Sequence, residues 1–287
     1  MSISEILYPQ SLEEVKNLLD DNKNSKILAG GTDLVLDLRR GKIETDYLIS
    51  LSKINELKAI EDKGESISIG SMVTFTELKE NSLIKKYFSA LINAASSMGA
   101  PQIRNMATIG GNIVNAAPAA DSIPCIMCFE GVLIIEGKGT KRTASCEEYF
   151  RNYENQFIKD NEVLVEIILP KIQSNSGFYK LGKRNALAIS RLTASVNINI
   201  IESKIKSFKL ALGAVGKYPF MVKEIESLVV GKEVNYILQD EVTEVLSNIV
   251  YESIKNRKTM PFKKEAVKGV YKEAVLRALM SGGSLNE

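Results

Sequence analysis

Histidine does not occur in this chain of 287 residues. Its absence excludes a Ser-His-Asp or Cys-His catalytic centre, a histidine metal ligand and any group tethered through an imidazole. Cysteine is scarce, with only Cys125, Cys128 and Cys146. An odd, small number points to reduced thiols in a reducing compartment rather than to a disulfide framework. Cys125 and Cys128 form a C-x-x-C, but no second pair exists to complete a zinc or iron–sulfur site. They lie in the apolar run Ile123-Pro-Cys-Ile-Met-Cys-Phe129, so core packing is their expected role. No run of 18 apolar residues occurs, and the segment MSISEILYP lacks the basic and apolar regions of a secretory signal. An excess of one charge is missing too: 37 basic and 35 acidic residues leave a net +2, mixed along the chain. Neither a nucleic-acid footprint nor a polybasic membrane patch is visible. A soluble, cytoplasmic protein is expected.

What is present is a normal globular composition, 45% hydrophobic, in a length that suits two or three lobes. The stretch that stands out is Thr108 to Asp121, TIGGNIVNAAPAAD. Gly110 and Gly111 lack Cβ atoms, which permits positive φ and close approach of backbone to a ligand. Thr108, Asn112 and Asn115 supply donors and acceptors, and Ala116, Ala117, Ala119 and Ala120 leave room beside them for something flat and large. A second loop, Lys26-Ile-Leu-Ala-Gly-Gly-Thr-Asp33, has the same logic. A Gly-Gly turn alone is usually a tight strand-to-helix connection. Two of them with polar followers suggest a long, phosphorylated, ring-bearing ligand held at both.

In chain order, Ser11-Leu-Glu-Glu14 is a capping-box pattern opening a helix with Leu12, Val15, Leu18 and Leu19 on one face. Lys26 to Ala29 reads as a strand entering Gly30-Gly31, with Thr32 or Asp33 capping a following helix that carries Leu34, Leu36 and Leu38. A strand, a glycine turn and free backbone N–H groups suit a pyrophosphate. Asp33 is expected to act as a capping carboxylate. Strands are expected at Asp46 to Leu51 and Glu65 to Ser71, a second capping box at Thr74-Phe-Thr-Glu77, and one long helix from Ser82 to Met98 closed by Gly99. Further strands are expected at Val132 to Glu136, Glu162 to Leu169, Phe178 to Leu181 and Ala194 to Ile201. Glu202-Ser203 then turns the chain into an antiparallel partner holding Phe208, Leu210 and Leu212. Helices over Val234 to Lys255 and Lys263 to Met280 complete an α+β lobe.

Taken together, AGGTD at Ala29 to Asp33 and TIGGN at Thr108 to Asn112, followed by Ala117, Pro118 and Asp121, resemble the FAD-binding (medium) subunit of the molybdenum hydroxylases. That group contains xanthine dehydrogenase and the aerobic carbon monoxide dehydrogenase. Ile69 to Leu78, GAPQIR at Gly99 to Arg104, Asn161 to Pro170 and Ala211 to Gly216 with Pro219 extend the resemblance over nearly the whole chain. It implies an α+β fold: a two-lobed FAD-binding domain of the PCMH or vanillyl-alcohol-oxidase-like type over residues 1–172, then a small C-terminal domain of antiparallel sheet and helices over 173–287.

The resemblance also implies a site. Lys26, Ile27, Leu28, Ala29, Gly30, Gly31, Thr32, Asp33 and Leu34 would line the pyrophosphate and the adjacent flavin. Thr108, Gly111, Asn112, Asn115 and Asp121 would contact the ribityl, phosphate and ribose region, with Ser71, Ile103, Ala107 and Val114 in the same cofactor site. Val163 and Leu164 would press on the ring, and Lys180 would reach its polar edge. Relatives often carry an acidic residue after the pair matching Lys183-Arg184, and this chain has none before Ala188. No catalytic side chain and no metal ligand is expected. FAD, bound non-covalently, would carry the redox chemistry. The implied partners are a molybdenum-cofactor subunit and a [2Fe–2S] subunit, with NAD+ or another electron acceptor. Ala116 to Ala120 and Lys183 to Leu187 would face the iron–sulfur partner. Two alternatives remain open at this stage: a self-contained FAD-dependent reductase resembling the peptidoglycan-precursor enolpyruvyl reductase, and a non-catalytic nucleotide-binding or assembly module.

Overall fold

The computed structural model describes residues 3–184 and 187–281. The chain forms two compact units with interleaved segments. The first comprises Met1–Leu78, Ala100–Asn115 and Gly131–Pro170; the second comprises Lys79–Gly99, Ala116–Glu130 and Lys171–Glu287. Strands of three sheets alternate with helices, and among the described residues no helix is long and apolar enough to cross a membrane.

The first unit holds two sheets. One is small and all-parallel, ordered Glu5–Leu7, Tyr47–Ser50, Ser25–Leu28. Its Leu12–Asp21 helix begins where the Ser11 hydroxyl accepts the Glu14 amide at 3.2 Å. The Glu14 carboxylate reaches back to the Gln10 amide at 2.7 Å, one residue earlier than a capping box requires. Val15 and Leu19 of that helix bury with Ile49, Leu51 and Leu57. The second sheet is antiparallel, ordered Ile60–Asp62, Ser66–Gly70, Glu162–Pro170, Val132–Gly137, Thr140–Ser145. The register slips between Ile134 and Ile135, leaving Val165 as the extra residue of a bulge. The Val165 carbonyl turns to accept the Ser71 amide at 2.9 Å. The Thr74–Glu77 capping box is reciprocal, with the Thr74 amide donating to Glu77 at 2.8 Å and the Glu77 amide to Thr74 at 3.2 Å.

The second unit is built on an antiparallel sheet ordered Phe220–Met221, Lys204–Gly213, Leu192–Ile201, Asn175–Leu181. Ala194, Val196 and Ile198 enter one apolar core with Leu246, Val250, Tyr271 and Val275 from the Asp240–Ile254 and Met260–Ser281 helices. Side-chain alternation sends Ser195 and Asn197 to the other face. That face is covered as well: Cys128 of the Ser122–Cys128 helix donates to the Ser195 carbonyl at 3.1 Å, and the Asn197 amide donates to the Cys128 carbonyl at 3.2 Å. An alternation that looks half-solvated in sequence is therefore sandwiched. The turn at Glu202-Ser203 has φ of 49° and 65°, the two-residue geometry that suits strand twist.

The long helix expected from Ser82 to Met98 is two helices, Ser82–Tyr87 and Ser89–Ser97. Phe88 leaves the helical region at φ −132°, ψ 58° and buries its ring edge-on against Phe129, 4.9 Å between centroids. The Ser176 hydroxyl accepts the Ala90 amide at 3.2 Å, so a neighbouring strand caps the second helix. Gly99 ends it at φ 41° as expected. Further on, Val234–Leu238 is a 3₁₀ turn before the Asp240–Ile254 helix, where one helix had been expected.

The Glu162 carboxylate, almost fully buried, is gripped at 2.9 and 2.7 Å by the Arg142 guanidinium and accepts the Lys159 amide at 2.9 Å. The Arg142 hydrogen bond holds Glu162 below the usual carboxylate range despite opposing burial. A depressed acid contributes stability that is complete above its unfolded pKa and is lost as pH falls through the folded value. Glu162→Gln should therefore cost about 1–3 kcal/mol near neutral pH, with the two proteins converging as pH approaches about 3. Urea unfolding at a series of pH values measures this; a pH-independent gap between them would contradict it.

Candidate functional site

The two glycine loops meet within the first unit. The Ser25–Leu28 strand ends at Ala29, and the chain turns through Gly30 and Gly31 into the Leu34–Arg39 helix. Gly31 has φ +69°, a left-handed conformation that favours glycine. Gly30 has a different reason: a Cβ there would lie 1.8 Å from the Met106 carbonyl oxygen. It is backbone against backbone, one loop resting on the other.

The second pair divides in the same way. TIGGN is not a turn, because Gly110 and Gly111 occupy the first turn of the Ile109–Asn115 helix and neither has positive φ. A Cβ on Gly110 would meet Ser71 Cβ at 2.5 Å and its carbonyl oxygen at 2.6 Å, and the Gly110 amide donates to that carbonyl at 2.9 Å. Gly111 is less confined. Its Cβ would meet the Thr108 hydroxyl at 2.9 Å and Ala29 Cβ at 3.7 Å. That hydroxyl accepts the Gly111 amide at 3.1 Å. Of the four glycines, two serve contact between protein segments, one serves a turn, and Gly111 alone would meet only side-chain atoms, of Thr108 and Ala29.

Asp33 does not cap its helix; it has helical dihedrals and no side-chain cap bond. Its carboxylate accepts instead from the Asn115 amide at 3.1 Å, tying the end of one loop to the end of the other. The Tyr153 hydroxyl donates to the Val114 carbonyl at 3.1 Å, and Lys26 faces Asp160 across 3.5 Å at the surface. Ser71 is buried, and its hydroxyl has no hydrogen-bond partner, an expensive arrangement unless something else supplies one. Ile27, Leu28, Thr32 and Leu34 are part-buried around this junction, and Asn112 lies on the Ile109–Asn115 helix. Ala107 is buried, whereas Ile103 and Val114 are exposed. Leu164 pairs with Ile135 across the sheet. Val163 is inside the apolar cluster of Val15, Leu19 and Ile49. The first unit thus contains all the expected site residues except Asp121 and Lys180.

Those two lie in the second unit and hold each other. Lys180 Nζ is 2.7 Å from Asp121 Oδ2 and 3.1 Å from the Ser97 carbonyl, while the Ser190 hydroxyl donates to Asp121 Oδ1. Lys180 is thus no solvated surface lysine. Burial holds the Asp121 carboxyl above the usual carboxylate range, against the opposing pull of Lys180 and Ser190. No pattern around Ser190 marks it in sequence, because the serine sits in a loop with no motif of its own. Ala116 and Ala120 are buried rather than exposed. Leu187 stands exposed, while Asn185 and Ala186, in the other stretch expected to face a partner, fall outside the described residues. The three cysteines are buried and free, and burial pushes the Cys128 thiol up to about 12.

Comparison with known proteins gives a consistent result. Residues 2–172 match the family described as FAD binding domain in molybdopterin dehydrogenase, and residues 177–278 match the CO dehydrogenase flavoprotein C-terminal domain. The chain is 31% identical to the nicotinate dehydrogenase FAD-subunit of Eubacterium barkeri, over 97% of this chain and 98% of that one. It is 27% identical to the xanthine dehydrogenase FAD-binding subunit of Escherichia coli O157:H7, over 95% of each. Its fold is similar to a chain of the carbon monoxide dehydrogenase from Hydrogenophaga pseudoflava, with a TM-score of 0.87, 23% identity, and 97% and 98% of the two chains covered.

The different duties of the glycines can be separated by substitution. Gly30→Ala and Gly110→Ala push a Cβ into backbone and should lower the melting temperature by several degrees, roughly 1–3 kcal/mol. Gly111→Val should leave the fold largely intact and reduce the flavin retained on purification. Calorimetry with the ratio of flavin to protein absorbance reads both; full flavin content in Gly111→Val would remove that residue from the site.

Proposed function

Because the chain belongs to the FAD-binding subunits of the molybdopterin dehydrogenases, we propose that it is the electron-transfer subunit of a multi-chain molybdenum hydroxylase. In this reading it receives electrons from [2Fe–2S] clusters on a partner chain, which are reduced by a molybdenum centre on another, and passes them to NAD+ or another acceptor. The supporting observation is the match of the whole chain, both domains in order, to FAD subunits of dehydrogenases. The relatives are named as subunits or medium chains, and this chain has too few cysteines for two such clusters of its own. We place the division into an FAD-binding domain and a C-terminal domain at 172/173 and the protein in the cytoplasm.

The residues present fit a flavin nucleotide. The buried Ser71 hydroxyl lacks a partner, Gly111 faces only the Thr108 hydroxyl and Ala29 Cβ rather than backbone, and the Asp33–Asn115 bond fixes the two loop ends at one spacing. We assign Lys26 to Leu34, Ser71, Ile103, Ala107, Thr108, Gly111, Asn112, Val114, Asn115, Val163 and Leu164 to the cofactor from the first unit, and Asp121 and Lys180 from the second. Bound FAD supplies the redox chemistry, and the protein supplies position, hydrogen bonds and field. Asp121 and the Ser97 carbonyl hold the Lys180 ammonium at a defined place, and Ser190 donates to the same carboxylate. No side chain in the set is poised as a general base, which suits electron transfer better than proton abstraction. The same set disfavours a self-contained reductase.

With no histidine to carry a covalent link, the flavin should be held non-covalently. Acid precipitation of the purified protein should leave the yellow colour in the supernatant; colour retained in the pellet would contradict this. The isolated chain should oxidise NADH or reduce a dye but turn over no organic substrate. Co-purification from the native host should bring a molybdenum-containing chain and a [2Fe–2S] chain with it. Unaided turnover of an organic substrate would favour the reductase reading instead.

A further inference from the structure

Charge is not evenly spread in space. In a chain of 37 basic and 35 acidic residues, positions 255–264, KNRKTMPFKK, carry five basic side chains and no acidic one. This segment joins the Asp240–Ile254 and Met260–Ser281 helices of the second unit. Folding brings Arg191 to it, stacked over the Phe262 ring at 5.2 Å. Arg257 donates to the Val215 and Gly216 carbonyls at 3.5 and 3.3 Å, and Lys263 donates to the Ala214 carbonyl. Arg191, Arg257 and Lys263 thus converge on one loop and are held there by ring and backbone, while Lys255 pairs with Glu252 at 2.9 Å and Lys264 faces Glu265 at 3.9 Å. Burial, then repulsion from Arg257 and Arg191, holds Lys263 below an ordinary lysine. Lys258 is exposed and forms no ion pair among the described residues. Lys263 also sits in the first turn of the Met260–Ser281 helix, where positive charge opposes the macrodipole.

Apolar side chains stand in the same place. Ile189, two residues from Arg191, is 82% exposed, Leu187 is 54% exposed and Phe262 is 47% exposed. Single exposed apolar residues are ordinary, but three beside a fixed group of cations form the mixture typical of a protein interface, with arginine and aromatic anchors.

We propose that this surface, Leu187–Arg191 with Arg257–Lys264, docks an acidic, partly apolar face of another protein subunit. The proposal rests on the subunit reading above and adds which face is used and the charge of what it meets. Rigid cations held by carbonyls and a ring favour a shaped protein partner over a lipid surface or a nucleic-acid backbone, which mobile lysines serve equally well.

The native cysteines are all buried, so Ile189→Cys introduces one accessible thiol. In the complex purified from the native host, a benzophenone maleimide at that thiol should cross-link, on illumination, to another chain within a peptide rich in Asp and Glu. Lys258→Glu/Lys264→Glu changes one exposed lysine and one half-buried lysine that lies 3.9 Å from Glu265. It should keep normal flavin content, yet its complex should dissociate at several-fold lower NaCl than wild type, since charge steering is screened by salt. An assembled complex in which the probe stays uncross-linked, or in which the double variant dissociates at the wild-type salt concentration, would overturn the proposal while leaving the subunit reading intact. So would unchanged assembly with lost binding to heparin or to phosphatidylserine vesicles. A chain that purifies from its host alone would overturn both, before any variant is made.

Discussion

The first unit depends on two places where backbone lies directly against backbone. Gly30 lies against the Met106 carbonyl at a distance no Cβ would allow, and Gly110 rests on Ser71 in the same manner. These contacts bring the Ala29–Asp33 loop, the Ile109–Asn115 helix and the end of the Ser66–Gly70 strand to one point. Everything proposed for the cofactor in that unit then follows from short-range bonds: Thr108 to Gly111, Asn115 to Asp33, Val165 to Ser71. Close packing of this kind is intolerant of added volume, which is why Gly30 and Gly110 carry no side chain.

Local chemistry made much of this readable in advance. Ser11, Thr74 and Gly99 act as helix signals because caps depend on a few adjacent residues, and the strands around Ile67, Ile167 and Val196 follow from alternation. What escaped the sequence depends on distant neighbours. Phe88 breaks a helix because Phe129, far along the chain, offers its ring an edge. Asp33 abandons its cap for Asn115, 82 residues away. Asn197 looks like a solvent-facing strand residue until the Ser122–Cys128 helix covers it. The glycine motifs could be seen in sequence, but not that Gly30 and Gly110 serve packing of one segment on another.

The buried polar groups carry complementary information. Ser71 is left wanting a hydrogen bond beside Gly110, and Asp121 is supplied twice, by Lys180 and Ser190. An unmet hydrogen bond in the first unit is the kind of feature that a bound cofactor satisfies. Family membership supplies the identity of that cofactor, and the arrangement of these groups gives it a physical footing.

The interleaving of the two units bears on how the chain is made. The Ser89–Ser97 helix packs against the Asn175–Leu181 strand, and the Ser122–Cys128 helix against the Leu192–Ile201 and Lys204–Gly213 strands. Each helix emerges from the ribosome tens of residues before the sheet that covers it. At about 5–20 residues per second, their apolar faces wait for several seconds without a partner. The first unit is in the same position, because its Glu162–Pro170 strand closes a sheet begun a hundred residues earlier. Neither half can finish on its own during translation, so the nascent chain should depend on chaperone cover until residues beyond 213 have appeared. Once complete, no single cut between residues 79 and 170 separates one unit from the other.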